Sequence, residues 1–493
     1  MNINELKSVH PGYAEYAYRW DYYMRSYLGA EEYRDGAYLR KYIAEDQAPG
    51  NQYEQRLLDT ALQNQVKSVV DTYRSFLFRI PPTRTLGAAV DDANVINFIK
   101  DVDLNGTTMD HFMRKVADMI TIYGGAWIGC DRPSYAVETA AQESALGIRS
   151  YATLYSPTNV LDWAYTRQVN GRKELTYVKV VDDIQESYDC IMCWYPDRVM
   201  KYIVSKDGVQ SIGSGIQAGN PNYTKDSLTQ SYGKILETYE YENPLGYVPF
   251  QHVQETESFH KGVGTSDIGD IADLQRYNYQ LISEALQNIR ISSHPSIVAQ
   301  PDAELNGGVG ALIYVDESTQ VQPYILQPTG ASIDSILSVM EQNNKAIDDI
   351  THLAAVRAQT GTPESGVALQ VSRQNLNNKL AMKASTLQQA ERRLWQMYFD
   401  WQAQVQPDEF EVYYEKSFDM KDKHSDLELY RKSIEAVPHD SFVHYMHDQI
   451  AKMMIEDEED LQQVLESIAE DHREMMNVSG NMDQSQESSE GQE

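Results

Sequence analysis

Leu380, Leu387, Leu394 and Trp401 recur every seven residues, and Leu369, Leu376, Ala390 and Met397 form a second row offset by four. Two such rows lie along one side of an α-helix, so the spacing predicts a single helix from about Ser365 to Ala403. A helix of nearly forty residues runs about 55 Å at 1.5 Å per residue, longer than a compact domain needs. Any fold for this chain must be arranged along that rod.

Two further helices precede it. The first starts at Thr265 or Ser266, either able to cap orphan N–H groups, and carries Ile268, Ile271, Leu274, Leu281, Ile282, Ala285 and Ile289 at helical spacing until Pro295 ends it. From His294 to Gly330 the pattern becomes short β-prone pieces, Ser296-Ile297-Val298, Ala311 to Val315 and Tyr324-Ile325-Leu326, punctuated by Asn306-Gly307-Gly308 and several prolines. The second helix runs from about Ser332 to Leu353, and Gly361-Thr362-Pro363 separates it from the long one.

That order, with Ser365-Gly366-Val367-Ala368-Leu369 opening the long helix and Asn243-Pro244-Leu245-Gly246-Tyr247-Val248-Pro249-Phe250 ahead of the first, resembles tailed-bacteriophage portal proteins over roughly residues 10 to 475. The resemblance implies an α+β, mostly helical, elongated subunit: a wing (1–264, helices plus a β-rich part), a first stem helix (265–293), a small clip (294–331), a second stem helix (332–353), a tunnel loop (354–366), a long wing helix (367–405) and a helical crown (406–475). It further implies a ring at one capsid vertex, typically of twelve copies, through which double-stranded DNA is packaged and ejected without sequence specificity. The implied partners are other copies of the chain, the terminase large subunit, a head-tail adaptor, and the major capsid or scaffolding protein. The implied location is the virion, after assembly in the host cytoplasm, with no catalytic residue, cofactor or metal.

Two segments then become the candidate sites. The tunnel loop would place Arg357, Gln359, Thr360, Gly361, Thr362 and Glu364 toward the DNA, the small uncharged residues able to shift without strong phosphate contacts. The residues alone read as a polar connector between helices. The clip, with His294, Asn306, Gly307, Gly308, Tyr314 and Tyr324, would dock terminase and later the adaptor, its strands suited to pairing by β-addition. The basic residues Arg373, Lys379, Lys383, Arg392 and Arg393 of the long helix face DNA, a scaffold partner, or a neighbour's carboxylates.

Composition bears on this independently. The net charge of −31 over 493 residues disfavours a chain that grips nucleic acid through its whole surface. A conduit tolerates that sign, because a wall that repels phosphates lets DNA slide; twelve copies would carry on the order of −370. No run of apolar residues is long enough to span a membrane, the first residues lack a signal peptide's apolar core, and three cysteines argue against a disulfide framework.

The remaining chain is read in order. Residues 10 to 42 interleave tyrosines with arginines, a composition that stacks bases or packs an outer helix. Helices are predicted from Gln52 to Phe78, with Leu58 and Leu62 on the buried face, and from Met109 to Tyr123; strands dominate from Leu154 to Val253. Glu411 to Tyr414 reads as a strand, and three short helices follow at Ser425–Ala436, Ser441–Ile455 and Glu459–Met475 before a Gln/Ser/Glu-rich, acidic tail with little to bury (476–493).

Catalytic signatures are weak throughout. Cys190 and Cys193 lack a nearby histidine pair, His444 and His447 lack a third ligand, and neither Gly262-Val263-Gly264 nor Gly307 to Gly310 is followed by the Lys-Ser/Thr of a phosphate loop. Two other function classes stay open, a metal-dependent enzyme acting on nucleic acid and a scaffold protein without a channel. Nuclease activity would mark the first, and absence of a central hole the second.

Overall fold

The two heptad rows lie on one uninterrupted helix of 36 residues, Gly366–Trp401, with Leu376, Leu380, Leu387, Ala390, Leu394 and Met397 buried. In this computed structural model, described residues are 1–43, 45, 51–133, 148–185, 187–206, 232–293, 296–299, 312–315, 324–326, 331–357, 366–418, 423–437, 439–454, 464–465 and 467. They form a mixed α+β fold, about half helical, with several antiparallel sheets. The chain divides into two units, residues 1–418 and 419–493.

The first unit begins with α1 (Ile3–Lys7), closed by a reciprocal cap between Asn2 and Glu5, and α2 (Pro11–Leu28), whose first turn is capped by His10 Nδ1 accepting from the Gly12 N–H. The single helix expected over Gln52–Phe78 is two, α3 (Gln52–Asp59) and α4 (Gln65–Leu77). Asn64 breaks it: its side-chain oxygen accepts the Lys67 N–H at 2.8 Å and its amide donates to the Tyr27 carbonyl at 2.9 Å, so it caps α4 instead of continuing α3. Leu58 consequently leaves the core and is 66% exposed.

After β1 (Thr83–Thr85) and α5 (Ala93–Lys100), the expected helix Met109–Tyr123 is α6, N-capped by Thr108 and ended by Gly124 in the left-handed region at φ +86°. A Cβ at Gly124 would stand 2.5 Å from the Thr265 carbonyl carbon, so glycine here admits both the turn and the passing chain. β2 (Gly125–Asp131) follows directly and is the middle of a three-stranded antiparallel sheet with β3 (Tyr151–Tyr155) and, later, Phe250–Gln254.

A second antiparallel sheet holds β4 (Val160–Arg167), β5 (Lys173–Ile184), β6 (Tyr188–Trp194), β7 (Arg198–Lys206) and β8 (Tyr232–Glu242) in sequence order. Trp163, Val178, Trp194 and Val199 face the main core. Ile191, Cys193, Tyr202, Val204 and Tyr232 face Leu6 of α1. Phe250–Gln254 is β9.

The helix expected from Thr265 starts four residues later, as α7 (Gly269–Ser293). Ser266 and Asp267 are held against the end of α6, Ser266 Oγ donating to the Ile122 carbonyl at 2.6 Å and the Asp267 N–H to the Thr121 carbonyl at 3.2 Å, and these contacts override local helix propensity. Three strands follow, β10 (Ser296–Ala299), β11 (Leu312–Tyr314) and β12 (Tyr324–Leu326), with β10 between the other two, parallel to β11 and antiparallel to β12. Then come α8 (Ala331–Ile350), the short α9 (Ala354–Arg357), the long helix α10 (Gly366–Trp401), and β13 (Glu411–Tyr413), which pairs with β1.

The second unit contains α11 (Lys423–Ala436) and α12 (Asp440–Met454), packed on each other. Of the third helix expected from Glu459, only residues 464, 465 and 467 are described, as helical; the tail from 476 lies outside the described residues.

Candidate assembly surface and channel segment

α7 and α8 pack together, with Met340 and Ile347 of α8 buried, and are joined by an asparagine clasp. Asn278, nearly fully buried, donates to Asn344 Oδ1 at 3.0 Å and accepts from Asn343 Nδ2 at 2.7 Å. A polar pair buried between two helices fixes their register, because sliding either helix leaves amides unpaired. α7 exposes Tyr277, Leu286, Ile289 and Ile291, α8 exposes Leu337 and, at its base, Ile350, and the small sheet exposes Ile313, Tyr314, Tyr324 and Ile325. Apolar side chains left in water along one pair of helices and its sheet are candidates for burial against another surface.

The base of the helix pair is tied down. Lys383, on α10, is fully buried and bridges Glu255 at 2.8 Å and Asp267, which also pairs with Lys379 at 3.1 Å. Burial alone lowers a lysine pKa, but the Asp267 and Glu255 carboxylates more than offset it and hold Lys383 above its ordinary value. Burial likewise pushes Asp267 up, and the two ammonium groups overcome it to hold the carboxyl below its usual range. Beside them Tyr73 donates to the Thr351 carbonyl, just beyond α8, at 2.6 Å.

Eight residues along α10, Glu391 is buried completely and receives Arg84 Nε at 2.5 Å, Arg84 Nη2 at 3.2 Å, the Tyr414 hydroxyl at 2.6 Å and the Trp395 indole at 3.2 Å. Arg84 also reaches Asp110 at 2.7 Å. Burial drives the Tyr414 hydroxyl far above its ordinary pKa, with the Glu391 carboxylate adding to it, so Tyr414 stays a donor.

Of the residues expected to face DNA, Arg357 ends α9 and is paired within its own chain, to Asp348 at 2.8 Å, Gln65 at 3.2 Å and Ser68 at 2.6 Å. Gln359, Thr360, Gly361, Thr362 and Glu364 lie outside the described residues, as do His294, Asn306, Gly307 and Gly308 of the clip. Tyr314 and Tyr324 are exposed on β11 and β12, both of which pair with β10. The basic residues of the long helix divide: Lys379 and Lys383 are internal, Arg393 bonds Gln396 at 2.6 Å and lies over the Tyr247 ring, and Arg373 and Arg392 are exposed.

Elsewhere, the aromatic stretch near the N-terminus packs much of its ring surface inward, although Tyr18 is exposed. Tyr13, Trp20, Tyr33 and Tyr38 are buried, and Tyr33 stacks on Tyr38 at 4.3 Å. Cys130, Cys190 and Cys193 are buried free thiols. No helix among the described residues is long and apolar enough to cross a membrane. No family model matches the chain, and no curated protein matches it.

Proposed function

We propose that this chain is a portal subunit: a ring-forming protein, of about twelve copies, that carries double-stranded DNA through a central channel at one capsid vertex and offers docking surfaces to a terminase and a head-tail adaptor. The observation that carries the reading is the α7/α8 pair with its inserted three-stranded sheet, whose outer apolar residues a single copy leaves uncovered. Neighbouring copies would bury that surface, as subunit interfaces do. The segment after Arg357 would line the channel, and the strongly negative charge would keep the DNA backbone from sticking. The role is mechanical and electrostatic, without a reaction.

Electron microscopy of the purified chain, with its mass in solution, tests this. Rings with an open channel wide enough for a duplex are expected, and Ile289→Asp combined with Leu337→Asp should break the rings into monomers whose melting temperature is unchanged. A compact dimer with no hole, or rings indifferent to both substitutions, would overturn the reading.

A further inference from the structure

The two edges of the five-stranded sheet are treated differently. Along β4 the Leu161 carbonyl accepts the His10 N–H at 2.9 Å, so chain from another region meets that edge. Among the described residues β8 pairs with β7 alone, and every residue from Leu236 to Glu242 is exposed.

The register says which backbone groups are open. Asn243 donates to the Asp197 carbonyl at 3.0 Å, and Arg198 stands opposite Glu242 and Val199 opposite Tyr241. In an antiparallel ladder these bonds alternate, so Tyr241, Tyr239 and Glu237 bond to β7 while Glu242, Glu240 and Thr238 turn their N–H and C=O outward. That half of the strand carries Glu237, Glu240 and Glu242 with no lysine or arginine, and the exposed rings of Tyr239 and Tyr241.

We propose that β8 is a docking edge for an extended, Lys/Arg-rich segment of a partner protein, which adds to the sheet as a sixth strand. The open N–H and C=O groups supply main-chain bonding, the three carboxylates select cationic side chains, and the two tyrosine rings offer faces for guanidinium or ammonium groups. A second copy of β8 is a poor occupant, because antiparallel self-pairing sets glutamates against glutamates. The inference does not depend on ring formation.

The test titrates the full chain into a fluorescein-labelled peptide alternating Lys and Val, reads anisotropy, and maps amide hydrogen exchange with and without the peptide. Slowed exchange at Thr238, Glu240 and Glu242 is expected, with no binding by the matching Glu/Val peptide. Thr238→Pro removes an outward N–H that β7 does not use, and should weaken binding by about tenfold or more. Glu240→Lys with Glu242→Lys should do the same, and decides the matter if the proline variant proves unfolded. Peptide binding that leaves β8 exchange unchanged, that survives both variants, or that the Glu/Val peptide matches would overturn the proposal. So would a change in the chain's own oligomeric mass on Thr238→Pro, which would make the occupant another copy.

Discussion

Replacing Arg84 by Met tests whether the buried ion pair on α10 holds the first unit together. Glu391 would be left fully buried with only the Tyr414 hydroxyl and Trp395 indole as donors, and breaking a buried pair from one side costs about 3–5 kcal/mol. At about 2 cal/mol/K per residue, the 418-residue unit has an unfolding entropy near 0.9 kcal/mol/K, so a loss of ~4 kcal/mol lowers Tm by about 4–5 °C. Arg84→Met with Glu391→Leu removes both charges and should recover about 1–4 kcal/mol of that loss, because burying ions is itself costly. Glu391→Leu alone leaves Arg84 only Asp110, at 2.7 Å and partly exposed, and should fall between the wild type and Arg84→Met. The assay is thermal unfolding by near-ultraviolet circular dichroism with urea titrations of all four chains, compared as a double-mutant cycle. A loss below about 1 kcal/mol for Arg84→Met, or a double variant whose loss equals the sum of the two singles, would refute the reasoning.

Three other predictions concern separate parts of the first unit. Burial raises the Asp131 carboxyl to about 6, with the Asp182 carboxylate adding to it, so the folded chain holds a proton that the unfolded chain has lost between about pH 4 and pH 6; stability should fall as pH rises through that window and stay low above it. Asp131→Asn should flatten this slope in urea titrations, and an unaltered slope would assign it to other groups. Lys179 is fully buried and donates to the carbonyls of Glu5 at 3.1 Å, Leu6 at 3.3 Å and Ser8 at 2.5 Å; Lys179→Met should free α1 at about 1–3 kcal/mol and speed alkylation of Cys193, which lies beneath Met1, whereas unchanged alkylation would show that Leu6 alone holds the helix. Arg357→Ala breaks two part-buried contacts and one exposed one and should lower stability by about 1–2 kcal/mol while speeding amide exchange in α9; exchange at the wild-type rate would mean that α9 is held without it.

Elements whose signals are local were legible in the sequence. The Met109–Tyr123 helix, with Thr108 before it and glycines after, and the long helix, with its two leucine rows, both appear where spacing places them. Boundaries set by distant contacts were not: Asn64 stops a helix by bonding Tyr27, and Ser266 delays another by bonding Ile122. The ionic pins were half legible. Lys383 occupies the place in the row of Leu376, Ala390 and Met397 where an apolar residue is due, which marks it as buried and in need of counter-charges, but nothing nearby in sequence names Glu255 and Asp267. Arg84 sits in a three-residue strand with no pattern at all, 307 positions from Glu391. Arg357 was visible as a charge beside a glycine break, while its partners Gln65 and Ser68 come from a helix at the other end of the unit's sequence.

The two pins and the uncovered helix faces belong to one mechanical arrangement. Asp267 precedes α7 and Thr351 follows α8, and both are held at the same place, by Lys383 and by Tyr73, whose ring lies 5.9 Å from the Lys383 ammonium. The base of the helix pair is therefore fastened on one side to α10, through Asp267, and on the other to α4, through Thr351. Glu391, eight residues and about 12 Å farther along α10, fastens the same helix to β1, where Arg84 sits, and to Tyr414, which follows β13. Both clusters are closed by charged hydrogen bonds between groups that are wholly or partly buried, which makes them stronger ties than neutral contacts would be. Ile289 and Leu337 are exposed and sit beyond this fastened base. The ring subunit proposed above would need that division, with a fastened base inside and apolar side chains outside for its neighbours.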